Sequence, residues 1–146
     1  MPVSSISADQ PIQISPNSLW LELCGWKVSA GFPSPAADHT QKRVDLNDHL
    51  IRNKEATFLF RVRGDSMTGA GIYEGDTLVV DRSIEAKHNS IVLAILNDEF
   101  TVKRLYRRGG VFKLVAENPI YPPRVIKPEE ELTIWGVVTF NLHKLC

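Results

Sequence analysis

The chain has 146 residues, 43% hydrophobic and 23% charged, and its 17 lysines plus arginines balance 17 aspartates plus glutamates. That suits one globular domain with a real core, and without a basic excess, broad nucleic-acid binding through phosphate neutralisation is not its main expected activity. No apolar run approaches the roughly 18 residues of a membrane-spanning helix. The N-terminus lacks the basic start and apolar stretch of a secretory signal. Cys24 and Cys146, the only two cysteines, make no disulfide framework, so a cytoplasmic protein is expected.

Residues 1 to 40 are rich in serine, proline and small side chains, interrupted by the apolar patch Leu19, Trp20, Leu21, Leu23 and Trp26. Phe32-Pro33-Ser34-Pro35 forces extended backbone around both prolines. This composition predicts an arm that is poorly ordered when free, with the apolar patch docking on a surface or partner; a tail without a role is the plain alternative. Residues 45–51 read as one short helix with Asp45 as its N-cap. From there the pattern turns to β, with strands expected at 57–62, 77–81, 91–96, 100–106, 111–115 and 132–142. Glu74-Gly75-Asp76, Asn97-Asp98, Gly109-Gly110 and Asn118-Pro119 punctuate them as turns. Short strands at such spacing predict a mostly β, sandwich-like or barrel-like body over residues 41–146, with a radius of gyration of roughly 13 Å.

The stretch RVRGDSMTGAGIYEGD, residues 61–76, spends four glycines around Ser66. A surface turn capped by Asp65 uses such residues, and so does a serine held on a bent loop for chemistry. A serine hydroxyl is a weak nucleophile until a base removes its proton. His39, His49, His88 and His143 sit in no motif with Ser66, and none pairs with another histidine or a cysteine at metal-ligand spacing. They read as surface or structural residues, and no metal or cofactor is expected. Lys103 lies within Phe100-Thr101-Val102-Lys103-Arg104-Leu105. Apolar neighbours on a strand strip water from an ammonium and lower its pKa, and a neutral amine is a competent general base for a serine. The nearby Arg104, Arg107 and Arg108 fit equally a solvated basic hairpin end, so local pattern alone leaves both readings open.

Gly64-Asp65-Ser66-Met67, then Gly71-Ile72, Gly75-Asp76, Val79-Val80-Asp81, and later Phe100-Thr101-Val102-Lys103-Arg104-Leu105 together resemble the LexA/UmuD family of self-cleaving serine proteases. The spacing from Ser66 to Lys103 and the closing Trp135-Gly136-Val137-Val138 are similar as well, and the resemblance runs from Gly31 to the end. Gly31-Phe32-Pro33-Ser34-Pro35-Ala36-Ala37-Asp38 followed by Val44-Asp45-Leu46-Asn47 resembles the UmuD branch just after its cleavage point. The resemblance implies a Ser66–Lys103 dyad, an oxyanion held by backbone N–H groups at Ser66 and Met67, and a scissile bond between Ala30 and Gly31. Small residues on both sides of that bond let backbone approach a nucleophile closely, and Val28 and Ala30 fall on one side of an extended segment. Cys24-Gly25 is a second small pair but lacks the following Phe-Pro-Ser-Pro.

By the same resemblance the partners are a second copy of the chain, a RecA filament on single-stranded DNA as activator, and a UmuC-type Y-family polymerase served in SOS mutagenesis and translesion synthesis. Repressors of the family carry a helix-turn-helix domain before the protease. No such pattern appears in the fewer than 60 residues before the first expected strand, so sequence-specific DNA binding is not expected. A stand-alone repressor fragment and a non-catalytic β interaction module are the rival readings.

Overall fold

The computed structural model describes residues 12–13, 18–24, 28–32 and 42–146. His39, Gly25, Trp26 and Pro33 to Pro35 of the sequence reading lie outside these residues. Ten strands are present among them: β1 (Ile12–Gln13), β2 (Trp20–Leu23), β3 (Lys42–Asp45), β4 (Thr57–Arg61), β5 (Thr77–Asp81), β6 (Ile91–Leu96), β7 (Glu99–Arg108), β8 (Val111–Val115), β9 (Arg124–Val125) and β10 (Leu132–Leu142). The protein is mostly β, as expected. One α-helix, α1 (Leu46–Leu50), follows β3 among the described residues.

Two tight turns set the register of the strand that carries Lys103. Asn97 and Asp98 (φ 49° and 66°) join β6 to β7, and Gly109 and Gly110 (φ 58° and 75°) join β7 to β8. Two-residue turns with positive φ at both positions match the right-handed twist of the flanking strands. Leu96 therefore pairs with Glu99 and Arg108 with Val111, which places Lys103 opposite Val92. These turns also carry β7 beyond the expected 100–106 at both ends.

Eight strands form one antiparallel sheet in the order β1-β4-β5-β10-β6-β7-β8-β9. The long last strand inserts between β5 and β6, a pairing no local pattern announces. Its entry needs Gly136: a Cβ there would lie 2.7 Å from Val80 Cγ1 and 3.3 Å from the Asp81 carbonyl oxygen. The register of β10 against β6 shifts between Ile134 and Gly136. Apolar residues pack on both sides of β6. Leu93 joins Phe60, Val62, Met67, Ile72, Leu78 and Val80 in one buried cluster, with Ile91 against it. Val92 and Ala94 join Leu105 and Leu114 in a second, with Leu96 against it. A strand covered on both faces reads as a continuous apolar run, as Ile91-Val92-Leu93-Ala94-Ile95-Leu96 does.

Part of the expected arm is paired. β2 runs antiparallel to β3, with Trp20 opposite Asp45 and Leu23 opposite Lys42, and β1 pairs with β4 at the sheet edge. Asp45 ties β2 to the body. Its carboxylate accepts from the N–H groups of Leu19 and Asn47, each at 3.0 Å, and the second contact is the expected N-cap of α1. Leu46 N–H also donates to the Leu19 carbonyl at 2.7 Å. The side chains of Leu19, Trp20, Leu21 and Leu23 stay about half exposed.

Candidate active site

Residues 62–76 form a closed loop between β4 and β5. Val62 N–H donates to the Asp76 carbonyl, and Gly75 N–H donates back to the Val62 carbonyl, each at 2.9 Å. This neck ends β4 one residue before the expected boundary. Within the loop, Met67 and Ile72 are both buried in the first apolar cluster, which pins the backbone on either side of a 3₁₀ turn at Thr68–Ala70. Gly64 (φ 86°) and Gly71 (φ 79°) adopt the left-handed conformation that lets the chain enter and leave this turn. Burial of Met67 leaves its neighbour Ser66 half-buried on the lining of a cleft of about 610 Å³. The cleft wall is apolar at Phe60, Val62, Leu78, Leu93, Phe100 and Val102, with Arg61, Arg63 and Glu99 also lining it.

Lys103 reaches the same cleft from β7. Its Nζ lies 3.0 Å from Ser66 Oγ, 2.8 Å from Thr101 Oγ1 and 3.1 Å from the Val102 carbonyl oxygen. Among the described residues it has no carboxylate partner. Burial holds its pKa below the ordinary lysine value because the charged form loses water without gaining a counter-charge. Three acceptors satisfy the three N–H donors of an ammonium. On loss of a proton, Thr101 and Val102 still take the two remaining N–H groups, which leaves the lone pair for the Ser66 hydroxyl. The N–H groups of Ser66 and Met67 donate to no backbone or side-chain acceptor among the described residues.

The segment after β8 closes over the serine loop. Gly69 N–H donates to the Glu117 carbonyl at 2.7 Å, and a Cβ on Gly69 would lie 2.6 Å from that oxygen. Asn118 Nδ2 donates to the Asp65 carbonyl at 2.9 Å, and Tyr121 OH donates to Asp65 Oδ1 at 2.6 Å. The Glu117 carboxylate pairs with Arg104, next to Lys103 in the chain. On the other side, Asn141 of β10 donates to the Gly71 carbonyl at 2.9 Å and to buried Asp76 at 2.7 Å. Burial raises the pKa of Asp76, but hydrogen bonds from Asn141, Tyr73 and His143 outweigh it and hold the carboxyl below its usual value.

Of the histidines, His143 bonds Asp76 at 2.5 Å, His88 Nδ1 accepts from Arg107 N–H at 3.1 Å, and His49 lies beside Phe140. None of these three bonds Ser66. Cys24 and Cys146 are exposed free thiols. Ala30 and Gly31 are exposed and line no part of the cleft. A Cβ on Gly31 would meet no atom within 4 Å, and the flanking Val28 and Phe32 are 92% and 91% exposed. The structure thus brings Ser66, Met67 and Lys103 to one place and leaves Ala30 and Gly31 outside it. Sequence reading missed Thr101, Asn118 and Tyr121. Thr101 carried one usable signal, its position two residues from Lys103 on the same strand face; Asn118 read only as a turn residue.

A family model described as Peptidase S24-like matches residues 22–139. Protein MucA of Salmonella typhimurium is 45% identical over 123 residues, 82% of this chain and 84% of that protein. Protein SamA of Salmonella typhimurium strain LT2 is 45% identical over 135 residues, 92% of this chain and 90% of that one. The LexA repressor of Bordetella avium is 42% identical over 127 residues, 87% of this chain and 59% of the repressor.

Proposed function

The chain belongs to the Peptidase S24-like family, and from that membership we propose that Ser66 and Lys103 sever the chain's own N-terminal arm between Ala30 and Gly31. The observation that carries this reading is the 3.0 Å contact between Lys103 Nζ and Ser66 Oγ, made by an amine with no counter-charge among the described residues. Neutral Lys103 takes the Ser66 proton as Oγ attacks the Ala30 carbonyl carbon. The resulting oxyanion is held by the uncommitted N–H groups of Ser66 and Met67. The protonated lysine then gives its proton to the departing Gly31 nitrogen, and Ala30 remains as an ester on Ser66. Water, deprotonated by Lys103, attacks that ester. Ser66 recovers its proton, and the released arm ends in the Ala30 carboxylate.

In this reading residues 1–40 are the arm and 41–146 the protease body. The exposed position of Ala30 and Gly31 supports a latent form, since the segment must enter the cleft before chemistry begins. An activator accelerates such a step by binding the engaged conformation better than the free one. In this reading, which follows the resemblance of Gly31 to Asp38 to the UmuD branch, that activator is a RecA filament on single-stranded DNA. The trimmed chain is a homodimeric accessory subunit of a UmuC-type Y-family polymerase, acting in the cytoplasm in SOS mutagenesis. Intact mass of wild-type and Ser66→Ala protein after addition of the activated filament tests this. Loss of residues 1–30 in wild type alone is expected; an uncut wild type would leave a β interaction module.

The likeness to the LexA repressor favours a second reading, a transcriptional repressor. It requires tight sequence-specific DNA binding, and a gel-shift decides between the two.

A further inference from the structure

Three residues that follow β8 grip both sides of the serine. Asp65, immediately before Ser66, is held twice: its carbonyl by Asn118 Nδ2 at 2.9 Å and its carboxylate by Tyr121 OH at 2.6 Å. Three residues after Ser66, Gly69 N–H is held by the Glu117 carbonyl at 2.7 Å. The gripping segment is itself ordered. Asn118 Oδ1 accepts from Ile120 N–H at 3.2 Å, and the Asn118 carbonyl accepts from Tyr121 N–H at 3.0 Å. Asn118 therefore shapes the turn that delivers Tyr121 and contacts the serine loop with the same side chain. Glu117 links the grip to Arg104, adjacent to Lys103 on β7. The two halves of the dyad are thus joined twice, once directly and once through Arg104, Glu117 and Gly69.

We propose that Tyr121 and Asn118 are positioning residues that fix Ser66 Oγ against Lys103 Nζ by holding Asp65. This deepens the self-cleavage reading and rests on it. The effect is geometric rather than electrostatic. Burial is what lowers the Lys103 pKa, and Asp65 makes no ion pair with it among the described residues. The hydrogen bond to Asp65 raises the Tyr121 pKa, so the donor keeps its proton under mildly alkaline conditions. Tyr121 and Asp65 are both exposed, where a single hydrogen bond exchanges readily with water. Its value here lies in restricting the backbone one residue from the nucleophile, since misplacement of a reacting group by about 1 Å costs up to about 100-fold in rate.

The test uses two readouts on the full chain, with folding checked by thermal melt. The first is unaided self-cleavage in mild alkali. The second needs no cleavage: iodoacetamide alkylation of a Ser66→Cys thiol, whose thiolate an adjacent Lys103 ammonium favours. Peptide mass separates it from Cys24 and Cys146. Tyr121→Phe and Asp65→Ala should each lower both rates by about tenfold. Asp65→Asn, which keeps an acceptor for Tyr121, should stay near the parent rate. Combining Tyr121→Phe with Asp65→Ala should cost no more than either alone. Rates within twofold of the parent in Tyr121→Phe and Asp65→Ala overturn the proposal, as do equal losses in Asp65→Asn and Asp65→Ala. An uncut parent whose thiol still depends on Tyr121 refutes the protease reading but keeps the positioning role. A cut parent indifferent to Tyr121 does the reverse.

Discussion

Lys103 Nζ sits 3.0 Å from Ser66 Oγ across 37 residues of sequence. The relationship is built from two independent pieces of backbone. Buried Met67 and Ile72 anchor the serine loop, while paired turns at Asn97-Asp98 and Gly109-Gly110 fix the register of the lysine strand. Any change that moves one piece relative to the other acts on the contact between them.

Burial of Lys103 makes stability depend on pH. Its folded-state pKa is lowered, so in the window between that value and the ordinary lysine pKa the unfolded chain binds the extra proton. Stability rises with pH through that window. Below it both states are protonated, and the full cost of burying the ammonium remains. Lys103→Met keeps the length and removes the charge, so it should raise the melting temperature at neutral pH. The difference from wild type should shrink as pH climbs. Calorimetry of the two proteins across neutral to alkaline pH checks this.

Thr101 keeps one N–H of the amine occupied and directs its lone pair at the serine. Thr101→Val has the same shape and no hydroxyl. It should slow unaided cleavage by about tenfold while leaving the fold intact, measured as the rate of arm loss on a gel beside a thermal melt.

Gly69 meets backbone that cannot give way. In Gly69→Ala, the new methyl would press on the Glu117 carbonyl, 2.6 Å from where its carbon would stand. Overpacking of this kind costs about 1–3 kcal/mol. Denaturant melts should show that loss, and cleavage should slow because the serine loop lifts away from the Glu117 segment.

Asp45 adds to the backbone pairing that holds β2 against the body, and most strongly while it is ionised. The Leu19 N–H is the main cause of its lowered pKa, followed by the Asn47 N–H against the opposing effect of burial. A carboxyl with a lowered folded pKa stabilises above its unfolded value, and that contribution is lost as pH falls through the folded one. Protection factors for hydrogen exchange at Trp20 to Leu23, taken against the intrinsic rate at each pH, should therefore fall at acidic pH in wild type. In Asp45→Ala they should be low at every pH.

The sequence was most legible where structure is local. Strands 77–81, 91–96, 111–115 and 132–142 have the expected bounds, because turn residues stop each run. The Asp45 cap was legible for the same reason. Long-range pairings were not. Nothing in Trp20-Leu21-Glu22-Leu23 announces that it pairs with Lys42–Asp45, and nothing in Leu132–Leu142 places that strand between β5 and β6. Local pattern raised Ser66 and Lys103 as candidates, and the family resemblance, their spacing included, joined them into a dyad. Asn118 and Tyr121 stayed hidden because their work is done on Asp65, more than 50 residues away.

The most direct measurement is the intact mass of the purified protein after incubation in mild alkali, for wild type, Ser66→Ala and Lys103→Ala, with no other component present. Wild type alone should split, at a rate that rises about tenfold per pH unit until the amine is neutral, giving a fragment that begins at Gly31. Equal splitting in either variant, a fragment beginning at Gly25, or a rate indifferent to pH would contradict this.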